Sequence, residues 1–388
     1  MSTDVIVVGG GPAGLTSAVA CLAASPKLRV RVLEKARYPR EKYCAGAVGG
    51  RGLKILDELG MRPDVPSVPI DGMSVRTGEV ERSARVPGIG AVVRRIEFDA
   101  ALARIAREKG VEIVEDAKVE HVEAREKTND AVVESSAGTF EARVVIGCDG
   151  VGSIVRKTMG LGIGKLRAQV LELDTEPIDS DRERAFIHFD ATDRTLPGYT
   201  WDFPTTVGGR DLVCRGIYHL KMAGEQLDLG AMLGERMAKM GLDISKYKNK
   251  RFAERGLEPA ETLAKGPLML AGEAAGIDPV TGEGIAQAIE YGSLVGPHVA
   301  MALAGDVRIE SWTDRVRRSR LGRDLRIREA FVREFYGARR PELERVLVQE
   351  SFIHAGCCHF GAVPHEPIMA LRTLARLGLY FARGVLGS

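Results

Sequence analysis

The stretch Asp4-Val5-Ile6-Val7-Val8-Gly9-Gly10-Gly11-Pro12-Ala13-Gly14 sets the reading of the whole chain: a β-branched run breaks into glycines and a proline. An Ala-, Leu- and Val-rich segment continues to Ala24, and a second apolar run, Arg29-Val30-Arg31-Val32-Leu33, ends at Glu34. The pattern predicts strand, tight turn, buried helix and strand, a βαβ unit. Each glycine has a physical task. Gly9 permits the turn, Gly11 leaves room for a pyrophosphate against the backbone, and Gly14 lets helix and strand pack closely, while the helix N-terminus offers unpaired N–H groups. Glu34 follows Gly14 by twenty residues, the spacing at which a carboxylate accepts hydrogen bonds from a ribose. The pattern is that of a dinucleotide site and leaves nicotinamide and flavin cofactors equally open.

The chain has 388 residues, 45% hydrophobic and 28% charged, which is enough for two or three structural units around a large core. Lys plus Arg number 55 against 53 for Asp plus Glu, so no global charge draws the chain to nucleic acid. Six cysteines without a CxxC pair predict neither a disulfide framework nor a zinc site, and a reducing cytoplasm is expected. Neither a signal-peptide pattern nor a run of about 20 apolar residues for a membrane span is visible. Cys357-Cys358-His359, with His354 and His365 nearby, lacks tetrahedral ligand spacing, so no metal is expected.

Apolar spacing predicts a helix over residues 96–109 and strands over 111–114, 117–124, 131–135 and 139–147. Alternating strands, among them 184–189 and 211–220, then predict a separate antiparallel sheet. The expected architecture is α/β. A Rossmann-type cofactor domain comprises residues 1–70, 95–165 and 266–310, an inserted antiparallel-sheet substrate domain comprises 71–94 and 166–265, and a helical region covers 311–388. The Arg-rich stretch 315–345 reads as a solvated helical face.

Three further segments narrow the cofactor. They are Arg95-Ile96-Glu97-Phe98-Asp99, Cys148-Asp149-Gly150-Val151-Gly152-Ser153-Ile154-Val155-Arg156, and the second glycine-rich turn from Ala271-Gly272-Glu273 through Pro279, Gly282 and Gly284 to Ile285. In this order, with the first turn, they resemble the FAD-dependent oxidoreductases built like para-hydroxybenzoate hydroxylase, over roughly residues 1–310. That resemblance implies a Rossmann-type FAD-binding domain. It assigns Gly9, Gly11, Pro12, Ala13, Gly14, Glu34 and Lys35 to the ADP half, and Arg95 to the flavin's phosphate or ribityl region. It assigns Asp149 and Gly150, with Ser153 and Arg156, to a buttress of the flavin site. Gly272, Glu273, Pro279, Gly282, Gly284 and Ile285 then fall to the ribityl chain, the pyrophosphate and the isoalloxazine. Glu273 stands where the superfamily usually has Asp.

Tyr38-Pro39-Arg40-Glu41-Lys42-Tyr43-Cys44-Ala45-Gly46 is similar to the F-P-R-x-K-x-C-G-G stretch of the geranylgeranyl reductase family, with Ala45 at a glycine position. Tyr199-Thr200-Trp201-Asp202-Phe203-Pro204 is similar to its Y-x-W-x-F-P motif. The resemblance places Arg40, Cys44, Ala45 and Gly46 at the flavin and makes Cys44, Trp201 and Lys42 the catalytic candidates. Arg40 and Lys42 are expected to lower the Cys44 pKa or attract a diphosphate, and Trp201 and Phe203 to wall an apolar tunnel.

The implied function is reduction of prenyl-lipid double bonds by FAD. A flavin monooxygenase acting on an aromatic, natural-product or partner-protein substrate is the alternative, and a non-catalytic flavin-holding protein a third. A halogenase is disfavoured by the lack of W-x-W-x-I-P. Only one full dinucleotide fingerprint is present, because Gly160-Leu161-Gly162-Ile163-Gly164 has no strand before it, so NADPH or another electron donor would visit without its own domain. In the C-terminal segment Leu371, Leu374, Ala375, Leu377, Leu379, Phe381 and Val385 mix with Arg372, Arg376 and Arg383. That composition fits either peripheral membrane contact or docking on the protein's own core.

Overall fold

The computed structural model describes residues 3–125, 127–221 and 226–386. The side chains of Phe381, Arg383 and Val385 lie outside the described residues. In chain order the strands are β1 (Thr3–Val8), β2 (Val30–Leu33), β3 (Ala47–Gly49), β4 (Ser67–Thr77), β5 (Val80–Val93), β6 (Glu112–Val114), β7 (Val119–Arg125) and β8 (Asp130–Ser135). They continue as β9 (Gly138–Gly147), β10 (Arg167–Thr175), β11 (Phe186–Asp190), β12 (Gly198–Val207), β13 (Arg210–Lys221), β14 (Lys250–Arg255), β15 (Ala264–Lys265) and β16 (Leu268–Leu270). The helices are α1 (Pro12–Ala24), α2 (Gly50–Glu58), α3 (Arg95–Glu108), α4 (Ile154–Thr158), α5 (Leu229–Lys239) and α6 (Ile285–Ala304). The C-terminal helices are α7 (Trp312–Arg318), α8 (Arg320–Tyr336), α9 (Arg340–Leu347), α10 (Glu350–Gly361) and α11 (Pro367–Leu386).

The first sheet has the order β15-β16-β9-β1-β2-β6, with the β7–β8 hairpin attached to β9. Its centre is parallel: β1 lies between β9 and β2 in the same sense. A central parallel strand is covered on both faces, which is why Val5-Ile6-Val7-Val8 is uniformly apolar and buried. Against it α1 packs on α6 through small residues. A Cβ at Gly292 would lie 2.6 Å from Thr16 Cβ, and one at Gly296 would collide with the Ala20 carbonyl, so the two helices meet backbone to backbone.

The second sheet has the order β14-β10-β13-β12-β11-β4-β5-β3. It departs from the expected antiparallel sheet at one place, where β11 runs parallel to β4. Between these two strands the chain leaves to complete much of the first sheet, so no hairpin fixes their relative sense. The expected boundaries also shift. β3 and residues 67–70 belong to the second sheet, and β15 to the first. The region 166–265 holds a helix that strand alternation does not reveal: α5 buries Leu229, Leu233 and Met237 against Leu171, Leu173 and Ile217.

The C-terminal helices lie across both layers. On α10, Cys357 Sγ reaches the Ala84 carbonyl of β5 at 3.6 Å, and a Cβ at Gly49 of β3 would sit 2.6 Å from the Phe360 carbonyl. The stretch 315–345 is not simply a solvated face. Arg340 is buried and donates to Glu344 and to the carbonyls of Ala191, Asp193 and Leu196, while Arg328 is enclosed by carboxylates.

Candidate active site

The first glycine-rich turn is built from its own backbone. Gly9 has φ +101°, and a Cβ there would lie 2.5 Å from the Cys148 carbonyl, so only glycine satisfies both the turn and the approach of β9. A Cβ at Gly14 would collide with the Gly9 carbonyl. At Gly11 the added carbon would meet only Arg95 Nη2, at 3.8 Å, and otherwise face open space. Pro12 occupies the first turn of α1.

Glu34 at the end of β2 locks this turn. Its Oε2 accepts from the Gly10 N–H at 2.8 Å and from Arg40 Nη2 at 3.2 Å, and its Oε1 accepts from the Ala36 N–H at 3.1 Å. Arg40 also donates to the Gly10 carbonyl and to Asp99. Asp99, fully buried on α3, takes two 2.7 Å bonds from Arg95. The result is a buried chain, Glu34–Arg40–Asp99–Arg95, that brings one guanidinium beside Gly11 with its Nε–Nη2 edge fixed by Asp99. Arg95 is therefore not a solvated helix-start residue.

The second turn, between β16 and α6, is held from outside. Arg156 of α4 donates to the Ala274 carbonyl and pairs with Glu261. Three tyrosines then bind three successive carbonyls of the following loop: Tyr218 that of Pro279 at 2.9 Å, Tyr336 that of Val280, and Tyr199 that of Thr281. Asp278 receives the N–H groups of Val280 and Thr281, and Arg328 of α8 binds Asp278, Glu283 and Asp324. The loop so held delivers Gly282 and Gly284 to the N-terminus of α6, whose first-turn N–H groups have no intrahelical acceptor.

Both turns open on one cavity of about 1250 Å³. That exceeds the roughly 300–1,000 Å³ of an ordinary small-ligand pocket. Gly9, Gly11, Pro12, Ala13, Glu34, Lys35, Arg40, Arg95, Asp149 and Gly150 line one part, and Glu273, Gly282, Gly284 and Ile285 the floor between. Cys44, Ala45, Gly46 and Lys42 line it as well. Its other part is aromatic: Phe189, Tyr199, Trp201 and Phe203 pack at centroid distances of 5.3 to 6.1 Å, and Phe331, Phe335, Phe352 and Phe360 come from the helices. Gly14, Gly272 and Pro279 do not line the cavity. They support it, Gly272 by close approach to Ala13 and Pro279 through Tyr218.

Cys44 differs from expectation in its electrostatics. Burial pushes its thiol above the ordinary value, and the cation that opposes this is Arg95, not Arg40 or Lys42. Arg40 is directed to Glu34 and Asp99, and Lys42 stands with its Nζ 5.7 Å from the Phe252 ring centroid. The Cys44 N–H donates to Glu172 Oε1 at 3.0 Å, and burial raises the pKa of this carboxyl to about 7 although Lys250 and Arg94 draw it down. The Gly160–Gly164 loop is used internally, with the Gly162 carbonyl accepting from Arg156 and Arg255. Near Cys357 the side chains diverge: His359 pairs with Asp324 at 3.1 Å while His354 lies 3.7 Å from Cys358.

FAD fits this cavity. The cradle at Gly11 admits a pyrophosphate beside Arg95, and three buried carboxylate oxygens on the wall, Asp149 Oδ1, Glu273 Oε1 and Glu283 Oε1, have no hydrogen-bond partner among the described residues and can accept from sugar or ribityl hydroxyls. Sequence reasoning overlooked Asp99, Glu172, Glu254, Arg328, Tyr218 and Tyr336. Only Asp99 carried a signal, its i,i+4 spacing from Arg95.

A pyrophosphate cradle, a carboxylate at the end of β2 and a helix N-terminus facing a shared apolar cavity define an FAD-dependent oxidoreductase. The family model described as FAD binding domain matches residues 2–195. Digeranylgeranylglycerophospholipid reductase 1 of Methanococcoides burtonii is 32% identical over 325 residues, spanning 78% of this chain and 76% of that protein. Menaquinone reductase of Mycobacterium tuberculosis is 28% identical over 323 residues, covering 76% and 75%. Among solved structures, the geranylgeranyl bacteriochlorophyll reductase-like protein of Thermoplasma acidophilum superposes with a TM-score of 0.75 at 20% identity, over 97% of this chain and 99% of that one. The chain belongs to the geranylgeranyl reductase family of FAD-dependent oxidoreductases.

Proposed function

We propose that the protein reduces carbon–carbon double bonds in the prenyl chain of a lipid or prenyl diphosphate. The observation that carries this reading is the aromatic extension of the cofactor cavity, a water-excluding wall built on Trp201 and Phe203, in a chain whose curated relatives bear lipid- and menaquinone-reductase names. FAD supplies the hydride when reduced. Gly9, Gly11, Pro12, Ala13, Gly14, Glu34, Lys35 and Arg95 hold its ADP and phosphate portion, and Asp149, Gly150, Glu273, Gly282, Gly284 and Ile285 its ribityl and ring portion. Trp201 and Phe203 align the apolar chain. Cys44, kept as a thiol by burial, shapes the wall beside Ala45 and Gly46, and Lys42 balances the carboxylates of the floor.

The first sheet then acts as the cofactor domain, the second as the substrate domain and the C-terminal helices as their roof. Electrons arrive from NADPH or a carrier protein that docks without a fold of its own in this chain. The lipid enters past α11, where Ile368, Leu371, Leu374 and Leu379 are 60 to 67% exposed and Leu377 lines the cavity. The exposed leucines of α11 support a peripheral contact on a cytoplasmic face, and among the described residues no helix is long and apolar enough to cross a membrane.

The test is anaerobic. Protein reduced until its flavin bleaches is mixed with geranylgeranyl diphosphate, and return of the oxidised spectrum establishes alkene reduction. Recovery only on admitting air, faster with an aromatic or protein partner, establishes a monooxygenase instead. Cys44→Ser is expected to retain FAD and slow lipid-driven recovery several-fold. An unchanged rate makes the thiol a packing residue.

A further inference from the structure

The floor of the cavity holds two carboxyl groups that the cofactor-binding scheme does not treat alike. Glu273 lies on the second turn, with its Oε2 3.4 Å from where a Gly150 Cβ would stand. Glu254, on β14 opposite Ala168, lines the same cavity with a buried Oε2 that has no hydrogen-bond partner. A Cβ on Gly282 would stand 2.5 Å from that oxygen and 3.0 Å from the Tyr218 ring, so the Glu254 carboxyl rests where the cofactor floor meets the aromatic wall.

The charged surroundings decide which carboxyl keeps a proton. Glu254 is faced by the carboxyls of Glu273, Asp278 and Glu172, and by one cation, Lys42. Asp278 is already paired with Arg328, and Cys44, Tyr199 and Tyr218 complete the surroundings without adding a cation. Burial in a dry cavity works against ionising both carboxyls. Lys42, Arg255 and Arg95 oppose it at Glu273, whereas at Glu254 the opposing cation is Lys42, so the proton goes to Glu254. Burial, and next the Glu273 charge, hold the Glu254 pKa well above the usual glutamate range.

We propose that Glu254 is the general acid of the reduction, a role that rests on the prenyl-reductase reading above. The alkene accepts a hydride from reduced flavin at one carbon and the Glu254 carboxyl proton at the other. The N–H bond of the reduced flavin that carries the hydride, the C=C π bond and the Glu254 O–H bond break, two C–H bonds form, the flavin is left oxidised and Glu254 ionised, and the carboxylate regains its proton from solvent. The proton is thus held on a carboxyl that lines the cavity where the cofactor floor meets the aromatic wall, in position to be given to the alkene.

The experiment compares the full-length, flavin-loaded protein with Glu254→Gln, which matches the side chain in shape and removes only the acid. The variant is expected to bind FAD, to be bleached by dithionite and to recover in air as the wild type does. Recovery driven by geranylgeranyl diphosphate should slow on the order of 100-fold or more. Its infrared spectrum at neutral pH should lack a carboxylic-acid C=O band that the wild type shows, and Glu254→Asp should restore the band and part of the rate. Equal lipid-driven rates in wild type and Glu254→Gln, or identical infrared bands, overturn the assignment while the reductase reading stands. A wild type that leaves the lipid untouched overturns that reading and the assignment together.

Discussion

The two glycine-rich turns of the cofactor floor reach similar geometry by opposite means. At the first, between β1 and α1, the constraints are internal: the Gly9 conformation, the contact of Gly14 with the Gly9 carbonyl, and Glu34 on the next strand. At the second, between β16 and α6, the shape is imposed from elsewhere, by Tyr199 and Tyr218 of the second sheet and by Arg328 and Tyr336 of α8. The first turn is a local motif. The second depends on tertiary structure, so it joins cofactor binding to the integrity of the substrate domain and the helical roof.

Four substitutions break or sharpen that contrast. The largest effect is expected at the internal turn, where Gly11→Val fills the space left for a pyrophosphate. The purified variant should be folded and colourless by visible absorbance, whereas retained yellow colour would contradict the assignment of the cradle. At the externally held turn, Arg328→Ala leaves Asp278 and Glu283 buried without their cation, while Asp324 keeps Arg51 and His359. A cost of about 3–5 kcal/mol is expected, read as a lower Tm together with FAD loss, because the loop and the roof fail together. Were Tm to fall with FAD retained, the roof would not govern the floor.

A third substitution concerns the loop carrying Cys44, which is tied to the second sheet through Glu172. The folded Glu172 carboxyl titrates near 7 against an ordinary value of 4.5, so the raised group favours the native state only while protonated. Relative to the low-pH plateau, stability falls as pH climbs from the ordinary value through the folded one, by about 1.4 kcal/mol per unit, and is constant above. Glu172→Gln should remove that slope from a plot of Tm against pH, and a slope unchanged in the variant would assign it to another group. The smallest effect is expected from Tyr336→Phe, which removes one hydrogen bond to the Val280 carbonyl at about 1 kcal/mol. Equilibrium dialysis should find FAD bound more weakly, and an affinity equal to wild type would show that two tyrosines suffice.

The same contrast explains what the sequence revealed. The first turn was legible because its glycines and Glu34 lie within the first 34 positions, although Arg40 and Cys148, which also hold it, lie farther along. The cofactor motif set and the aromatic wall at Trp201 were legible as a resemblance. Arg40 lines the cavity but is directed to Glu34 and Asp99 and not to Cys44, since spacing gives proximity along the chain and not the direction of a guanidinium. Glu254, Tyr218 and Arg328 left no mark, because a polar residue on a strand or helix says only which face it occupies. Their partners lie 28 to 61 positions away along the chain, at Gly282, Pro279 and Asp278, and are known only once the sheets are assembled. The parallel meeting of β4 and β11 was hidden for a related reason, as nothing local couples two strands whose connection runs through another sheet.

The cavity wall begins at Val8 and includes Leu377, 369 positions later. A ribosome making this protein therefore releases β1 and α1 long before the residues that roof them exist. Until α10 seats its Phe360 carbonyl against Gly49, the aromatic wall of the second sheet faces solvent. The nascent protein thus passes through an interval in which its most apolar surface is open to chaperones, to FAD and to misassociation, and the chamber closes only once α10 and α11 have been made.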